Sequence, residues 1–174
     1  NGGYFTHAAF TTNGYHWSSN VISADPYSGL YFGNGKFVAK RADNHGLAAS
    51  PDGVDWQMHT NSPPPPLLNL VGGNGAWIYH TDGSNYWRSS NLEDWETVAL
   101  PGGGQWHQMV LAYGGGRFLW VDQVAGLAYQ SIDAITWQPS TISGANGLVS
   151  VRYAQDRWLA VNNNGEAFVS FNGW

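Results

Sequence analysis

The sequence has no cysteine, which excludes disulfides and thiolate metal sites. Charge is scarce as well. Asp, Glu, Lys and Arg make up 11% of the 174 residues, against ~25% in an average soluble domain. A helical bundle needs charged outer faces, and 23 glycines would interrupt its helices. The seven Lys and Arg face twelve acids, for a net charge of −5. That is too little positive charge for the stripe that holds a nucleic-acid backbone, so no nucleic-acid partner is expected. No apolar run approaches the ~20 residues of a membrane-spanning helix, so membrane insertion is not expected. The six histidines show no metal-binding spacing, and neither a metal nor another cofactor is expected.

What the chain does have is Gly, Trp and a period. Five segments align: Thr11-Thr12-Asn13-Gly14-Tyr15-His16-Trp17, Ser50-Pro51-Asp52-Gly53-Val54-Asp55-Trp56, Ser89-Ser90-Asn91-Leu92-Glu93-Asp94-Trp95, Ser131-Ile132-Asp133-Ala134-Ile135-Thr136-Trp137 and Ser170-Phe171-Asn172-Gly173-Trp174. Their first residues lie 39, 39, 42 and 39 apart. A second element precedes each of them, a turn ending on an aromatic: it is Gly/Asn-rich before Phe5, Phe37, Trp77 and Phe118, and Ala154-Gln155-Asp156-Arg157 before Trp158. Such turns join hairpin strands, because Gly and Asn accept positive φ at little cost.

Each unit then reads as four short strands, and the apolar residues on both sides of them suit sheets packed face to face. Four antiparallel strands per ~40 residues is the period of a β-propeller blade. The expectation is an all-β fold, a single β-propeller domain over residues 1–174. Its five four-stranded blades would occupy roughly 1–23, 24–60, 61–100, 101–142 and 143–174. The first would start at strand two and the last would end before strand four, leaving eighteen strands and two incomplete blades. Three arrangements follow: part of a larger propeller with further blades from the same protein, five blades closing with trimmed edges, or a homo-oligomer paired through open edge strands.

In the recurring motif, the Asp or Asn caps amides of its own turn, Gly takes the left-handed conformation, and Trp folds back between neighbouring blades. The motif resembles the Asp-box family, the bacterial neuraminidase repeat of sialidase-like propellers; Ser50 to Trp56 is its best copy. In that family the box is structural and lies away from the active face. Leu92 and Ala134 stand where the glycine belongs, so their turns are expected to adopt another shape.

The one-to-two and three-to-four turns should share one rim, and the variable four-to-one and two-to-three loops the other. Function sits most often on variable loops carried by a rigid scaffold. The candidate ligand-binding residues are Tyr27, Asn44, His45, Asp82, Asn85, Trp106, His107, Asp122, Gln123, Arg152 and Asn163. Short amides and carboxylates beside aromatic rings suit a sugar, whose C–H face stacks while its hydroxyls are read by polar groups. Arg152 is singled out because an innermost strand is an unusual place for a charge. Trp87 and Trp120 stand where other units carry Ala, which points to packing or to a ligand, and Pro63 to Pro66 reads as a rigid loop.

The function expected is a non-catalytic carbohydrate-binding module, lectin-like or adhesive, of a secreted or surface bacterial or phage protein. A sialidase-like glycoside hydrolase fragment is the alternative. It would need paired carboxylates, for which Asp25, Asp43, Asp82 and Asp122 are candidates, and sialidases add an arginine cluster. Only five arginines are present and the FRIP-type motif of sialidases is absent. The third alternative is a structural subunit assembling through its open edge strands.

Overall fold

The computed structural model describes residues 3–61, 69–80, 85–101, 109–122, 127–142 and 146–171. The polyproline stretch Pro63 to Pro66 and the candidate residues Asp82, Trp106, His107 and Gln123 lie outside them. The described residues form seventeen strands in five antiparallel sheets. The first sheet is the pair β1 (His7–Phe10) and β2 (Ser18–Val21). The second holds β3 (Tyr27–Gly33), β4 (Lys36–Arg41), β5 (Leu47–Ser50) and β6 (Gln57–His59). The third holds β7 (Asn69–Gly73), β8 (Ala76–His80), β9 (Asn85–Ser89) and β10 (Glu96–Ala99). In the fourth are β11 (Met109–Gly114), β12 (Arg117–Asp122), β13 (Leu127–Ser131) and β14 (Gln138–Thr141). The fifth comprises β15 (Leu148–Ala154), β16 (Arg157–Asn162) and β17 (Ala167–Ser170).

Each sheet is an up-and-down meander from one consecutive stretch of chain. The first strands β3, β7, β11 and β15 neighbour one another in that order. This is a β-propeller arrangement, as the repeat predicts.

Strand two dictates how the sheets stack, because successive side chains point to opposite faces. Phe118 and Trp120 of β12 turn back onto the third sheet, packing with Ile78, Tyr86 and Val71. Leu119 and Val121 turn forward onto the fifth, packing with Val151, Trp158 and Ala160. The same alternation puts Trp77 and Tyr79 against Val38 and Leu47 of the second sheet. The cores lie between sheets, one per junction, and every inner sheet is buried on both faces. At the junction of the third and fourth sheets Trp120 is fully enclosed, with Tyr86 and Trp137 edge-on to it at 5.2 and 5.6 Å. The Tyr86 hydroxyl donates to the Ala134 carbonyl at 2.7 Å and accepts from the Trp137 indole at 2.9 Å. Trp120 is thus a packing residue, and Trp87 packs beside Tyr79 at the preceding junction.

The recurring turn joins strands three and four. In its second copy, Ser50 Oγ accepts from the amides of Asp52 and Gly53, and Asp52 Oδ1 from those of Val54 and Asp55. The same four bonds recur from Thr11 and Asn13, from Ser89 and Asn91, and from Ser131 and Asp133. The expectation for Leu92 and Ala134 is therefore corrected: both turns keep the glycine shape, with φ of 69° and 58° beside 77° and 81° at Gly14 and Gly53. The strain of a left-handed side chain is offset because both are buried at sheet junctions.

The start of the chain needs a second correction. Phe5 does not open a strand two. It stands 32 residues before Phe37, whereas the other aromatics of the set are 40 or 41 apart. Its register is that of a two-to-three connection, where it forms an isolated bridge to Tyr27. Among the described residues the first unit therefore has only its third and fourth strands.

Near the axis, two glycines let sheets approach closely. A Cβ on Gly73 would overlap the Tyr113 ring, and one on Gly114 would overlap Tyr153. Gly114→Ala is therefore expected to cost about 2 kcal/mol in a denaturant titration, as overpacking does. The turn carboxylates supply a pH dependence. The Thr136 amide lowers Asp133 most, burial opposes it, and the Ile135 amide and the Ser131 hydroxyl add to the lowering, so that its pKa stands at about 2, below the usual 3.8. Asp52 is lowered mainly by the amides of Val54 and Asp55. A carboxyl with a depressed folded pKa stabilises above its unfolded value, and that contribution is lost as pH falls from near 3.8 through about 2. Asn keeps the acceptor oxygen and removes the titration. The double variant D52N/D133N should therefore lose less stability between pH 5 and pH 2 than the parent chain in urea titrations.

Candidate functional site

The two rims are populated as the repeat predicts. Asn34 and Asn74, in one-to-two turns, bond to Ala76 and to Gly116 and Ile132 of the following units. On the other rim the Ala42 amide bonds to the Pro26 carbonyl, and the Asn163 amide to Gly147.

The predicted residues on that second rim serve mainly to shape their own loops. Asn44 has a left-handed φ of 61° and accepts from Lys40 Nζ at 3.0 Å. His45 is exposed, and its amide donates to Asp43 Oδ1. Asn163 is exposed and lies against Gly147. Asn85 begins β9, exposed, and Asp122 ends β12, half-buried.

Tyr27 requires correction. It is the first residue of β3 rather than a loop residue, and it is fully buried among Ile22, Ala39 and Ala48. Its hydroxyl lies 3.1 Å from Ser23 Oγ and 3.3 Å from Met58 Sδ. The four-to-one loop ends at Pro26, three residues earlier than its Pro-Tyr-Ser-Gly sequence suggests, and the ring fills the junction instead of presenting a surface.

The carboxylates Asp25 and Asp43 do converge, but on Arg41, whose guanidinium pairs with them at 3.3 and 2.7 Å. The His45 amide first, and then Arg41, lower the pKa of Asp43. Glycoside hydrolysis requires one protonated carboxylic acid near neutral pH, and Asp43 is pushed the opposite way.

Arg152 is the predicted residue that the fold brings to a cleft. It lies on β15, exposed, with Nη1 donating to the Val151 carbonyl at 2.7 Å. The cleft runs along the axis, encloses about 520 Å³, and draws its lining from all four first strands. Tyr31 and Asn69 come from the second and third sheets, Leu111 and Tyr113 from the fourth, Arg152 and Tyr153 from the fifth. Tyr153 is seated by Gly114, and burial raises the pKa of Tyr31. An amide, a guanidinium and tyrosine rings thus surround one space.

Sequence reasoning missed this convergence apart from Arg152, because it sought the site on the loops. The available signal was Tyr31, Tyr113 and Tyr153, which recur close to the end of strand one.

Two smaller clefts also escaped notice. One of about 420 Å³ is lined by Arg117, Gln130, Asp133, Thr136 and Gln138, and one of about 310 Å³ by Lys36, Ala49, Asp55, Trp56 and Gln57. They occupy equivalent positions in the fourth and second units, beside the recurring turns.

No protein-family model matches the chain, and no curated protein matches its sequence. Solved structures share its fold. Virginiamycin B lyase from Staphylococcus aureus matches with a TM-score of 0.59 at 9% identity, over 95% of this chain and 62% of the lyase. YCF48, solved bound to the D1 peptide, matches with 0.64 at 16% identity, over 92% of this chain and 56% of its own. BamB from Moraxella catarrhalis matches with 0.56 at 15% identity, over 83% and 43%. The chain therefore spans about half the length of these propellers, and at such identities the likeness is one of fold.

Proposed function

We propose that this propeller module binds carbohydrate without turning it over, as part of a secreted or surface bacterial or phage protein whose repeat is of the Asp-box kind. The observation that carries the reading is the axial cleft. A pyranose offers an apolar C–H face and a ring of hydroxyls. The rings of Tyr31 and Tyr153 suit the face, and Asn69 and Arg152 suit the hydroxyls. The low net charge and the scarcity of basic residues fit a neutral ligand held by hydrogen bonds. The Asp25–Asp43 pair, neutralised by Arg41, weighs against the hydrolase alternative.

A glycan array, followed by calorimetric titration of any hit, tests the proposal. Retention of at least one glycan family is expected. Arg152→Ala should weaken a hit about tenfold, while leaving unfolding stability within about 0.5 kcal/mol, since the residue is exposed and its guanidinium bonds, among the described residues, to the adjoining carbonyl. An array with no retained glycan would defeat the reading. A hit that binds Arg152→Ala unchanged would move the site away from the axis.

A further inference from the structure

The two clefts beside the recurring turns are built alike. Each lies between the first residue of strand two, the first residue of strand four and the recurring turn itself. Lys36, Ala49, Pro51, Asp55 and Gln57 line the cleft of the second unit. Arg117, Gln130, Ile132, Thr136 and Gln138 stand at the same five places in the fourth. The third unit shows this place filled by the protein itself. There Ala76 replaces the cation, and Arg88 and Glu96, cross-strand partners, close on each other at 2.6 Å. Arg88 also donates from Nε to the Asp133 carbonyl at 3.2 Å. The second and fourth units have no such ion pair, because the cross-strand partners there are Ala49 with Gln57 and Gln130 with Gln138. A complete four-stranded unit follows the second, so its cleft is a property of the blade corner.

We infer that these two corners bind pyranosides as a pair of equivalent subsites, separate from the axial cleft. The inference extends the carbohydrate reading to other residues, so either can fail alone. The ligand class follows from the lining. Each corner holds one cation and one carboxylate, Lys36 with Asp55 and Arg117 with Asp133, and so has no net charge to retain an ion. Donors and acceptors stand side by side. A sugar hydroxyl both donates and accepts, and vicinal hydroxyls can answer a neighbouring donor and acceptor together. The side chains of Lys36, Asp55 and Gln57 are exposed and have no polar partner among the described residues. In the fourth unit the guanidinium is already oriented: Arg117 Nη1 donates at 2.9 Å to Oε1 of Gln130, which is 4% exposed. The clefts, about 310 and 420 Å³, fall at the lower end of the ~300–1,000 Å³ of small-ligand sites. Two such subsites on one rigid frame favour a glycan that repeats the same sugar.

The test is amide-detected NMR on the nitrogen-labelled 174-residue chain. The probes are the methyl glycosides of glucose, galactose, mannose and N-acetylglucosamine, with sodium sulfate as the ion control. At least one glycoside is expected to shift the side-chain amide signals of Gln57 and Gln138 saturably while leaving Arg88 Nε unmoved. Lys36→Ala/Gln57→Ala should weaken binding at its own corner about tenfold and leave the Gln138 response intact; Gln138→Ala should do the reverse. All three side chains are exposed, so an unchanged thermal midpoint shows that the variants are folded. A polymer bearing the same sugar should bind the parent chain about a hundredfold more tightly than the free glycoside, a gain lost when both corners are substituted. The inference is overturned if no glycoside moves either corner, if sulfate moves them equally, or if the responses survive the substitutions. Shifts confined to Asn69 and Arg152 overturn it while sustaining the axial reading, and corner shifts without axial ones do the opposite.

Discussion

Everything in this fold hangs on the alternation of side chains along strand two. One residue turns back as an aromatic, the next forward as an aliphatic, and the pair is repeated in four units. Trp77, Phe118 and Trp158 each meet the preceding unit, and Val38, Ile78 and Leu119 each meet the following one. A sheet of this kind with apolar residues on both faces would leave both open to water if it stood alone; clamped on both faces, its strands become core. That is why chain segments with so few charges remain ordered, and why the interior is divided into one cluster per junction. It also explains why the first and last units differ from the rest, each packing against a single neighbour among the described residues.

The recurring turn performs a different task. A hydroxyl and a carboxylate or amide oxygen together satisfy four amides in seven residues. The hairpin between strands three and four therefore closes with little help from tertiary packing. Asp and Asn serve equally because only Oδ1 is used. The fourth position tolerates Leu92 and Ala134 because neighbouring sheets bury those side chains, offsetting the unfavourable φ. Local capping and junction packing thus support each other at the same residue.

The architecture could be read from the sequence because both of its devices are periodic. The spacing of the Ser/Thr-to-Trp segments located the strand three to four hairpins, and the Gly/Asn turns located strands one and two in four units. What could not be read was whatever depends on a single position. Phe5 follows a Gly/Asn turn, as Phe37, Trp77 and Phe118 do, and only its interval from Phe37 betrays a different register. Tyr27 follows Asp-Pro and precedes Ser-Gly, local loop chemistry that the packing of Ile22, Ala39 and Ala48 overrides. The candidate site was legible only at Arg152, a charge where its counterparts are apolar. Its companions Tyr31, Asn69 and Tyr153 are far apart in the chain and look like ordinary strand residues until the axis gathers them.

The glycine seats at Gly73 and Gly114 carry a geometric consequence. They let a tyrosine ring of the next sheet lie directly on the backbone at the axis, while indole side chains hold the sheets apart further out. Each junction is therefore a wedge, and the opening angle of that wedge, rather than any residue at the closure, determines how many blades could share one axle. Lineages that enlarge the seat or thin the outer padding would change the ring's circumference without altering a single hairpin.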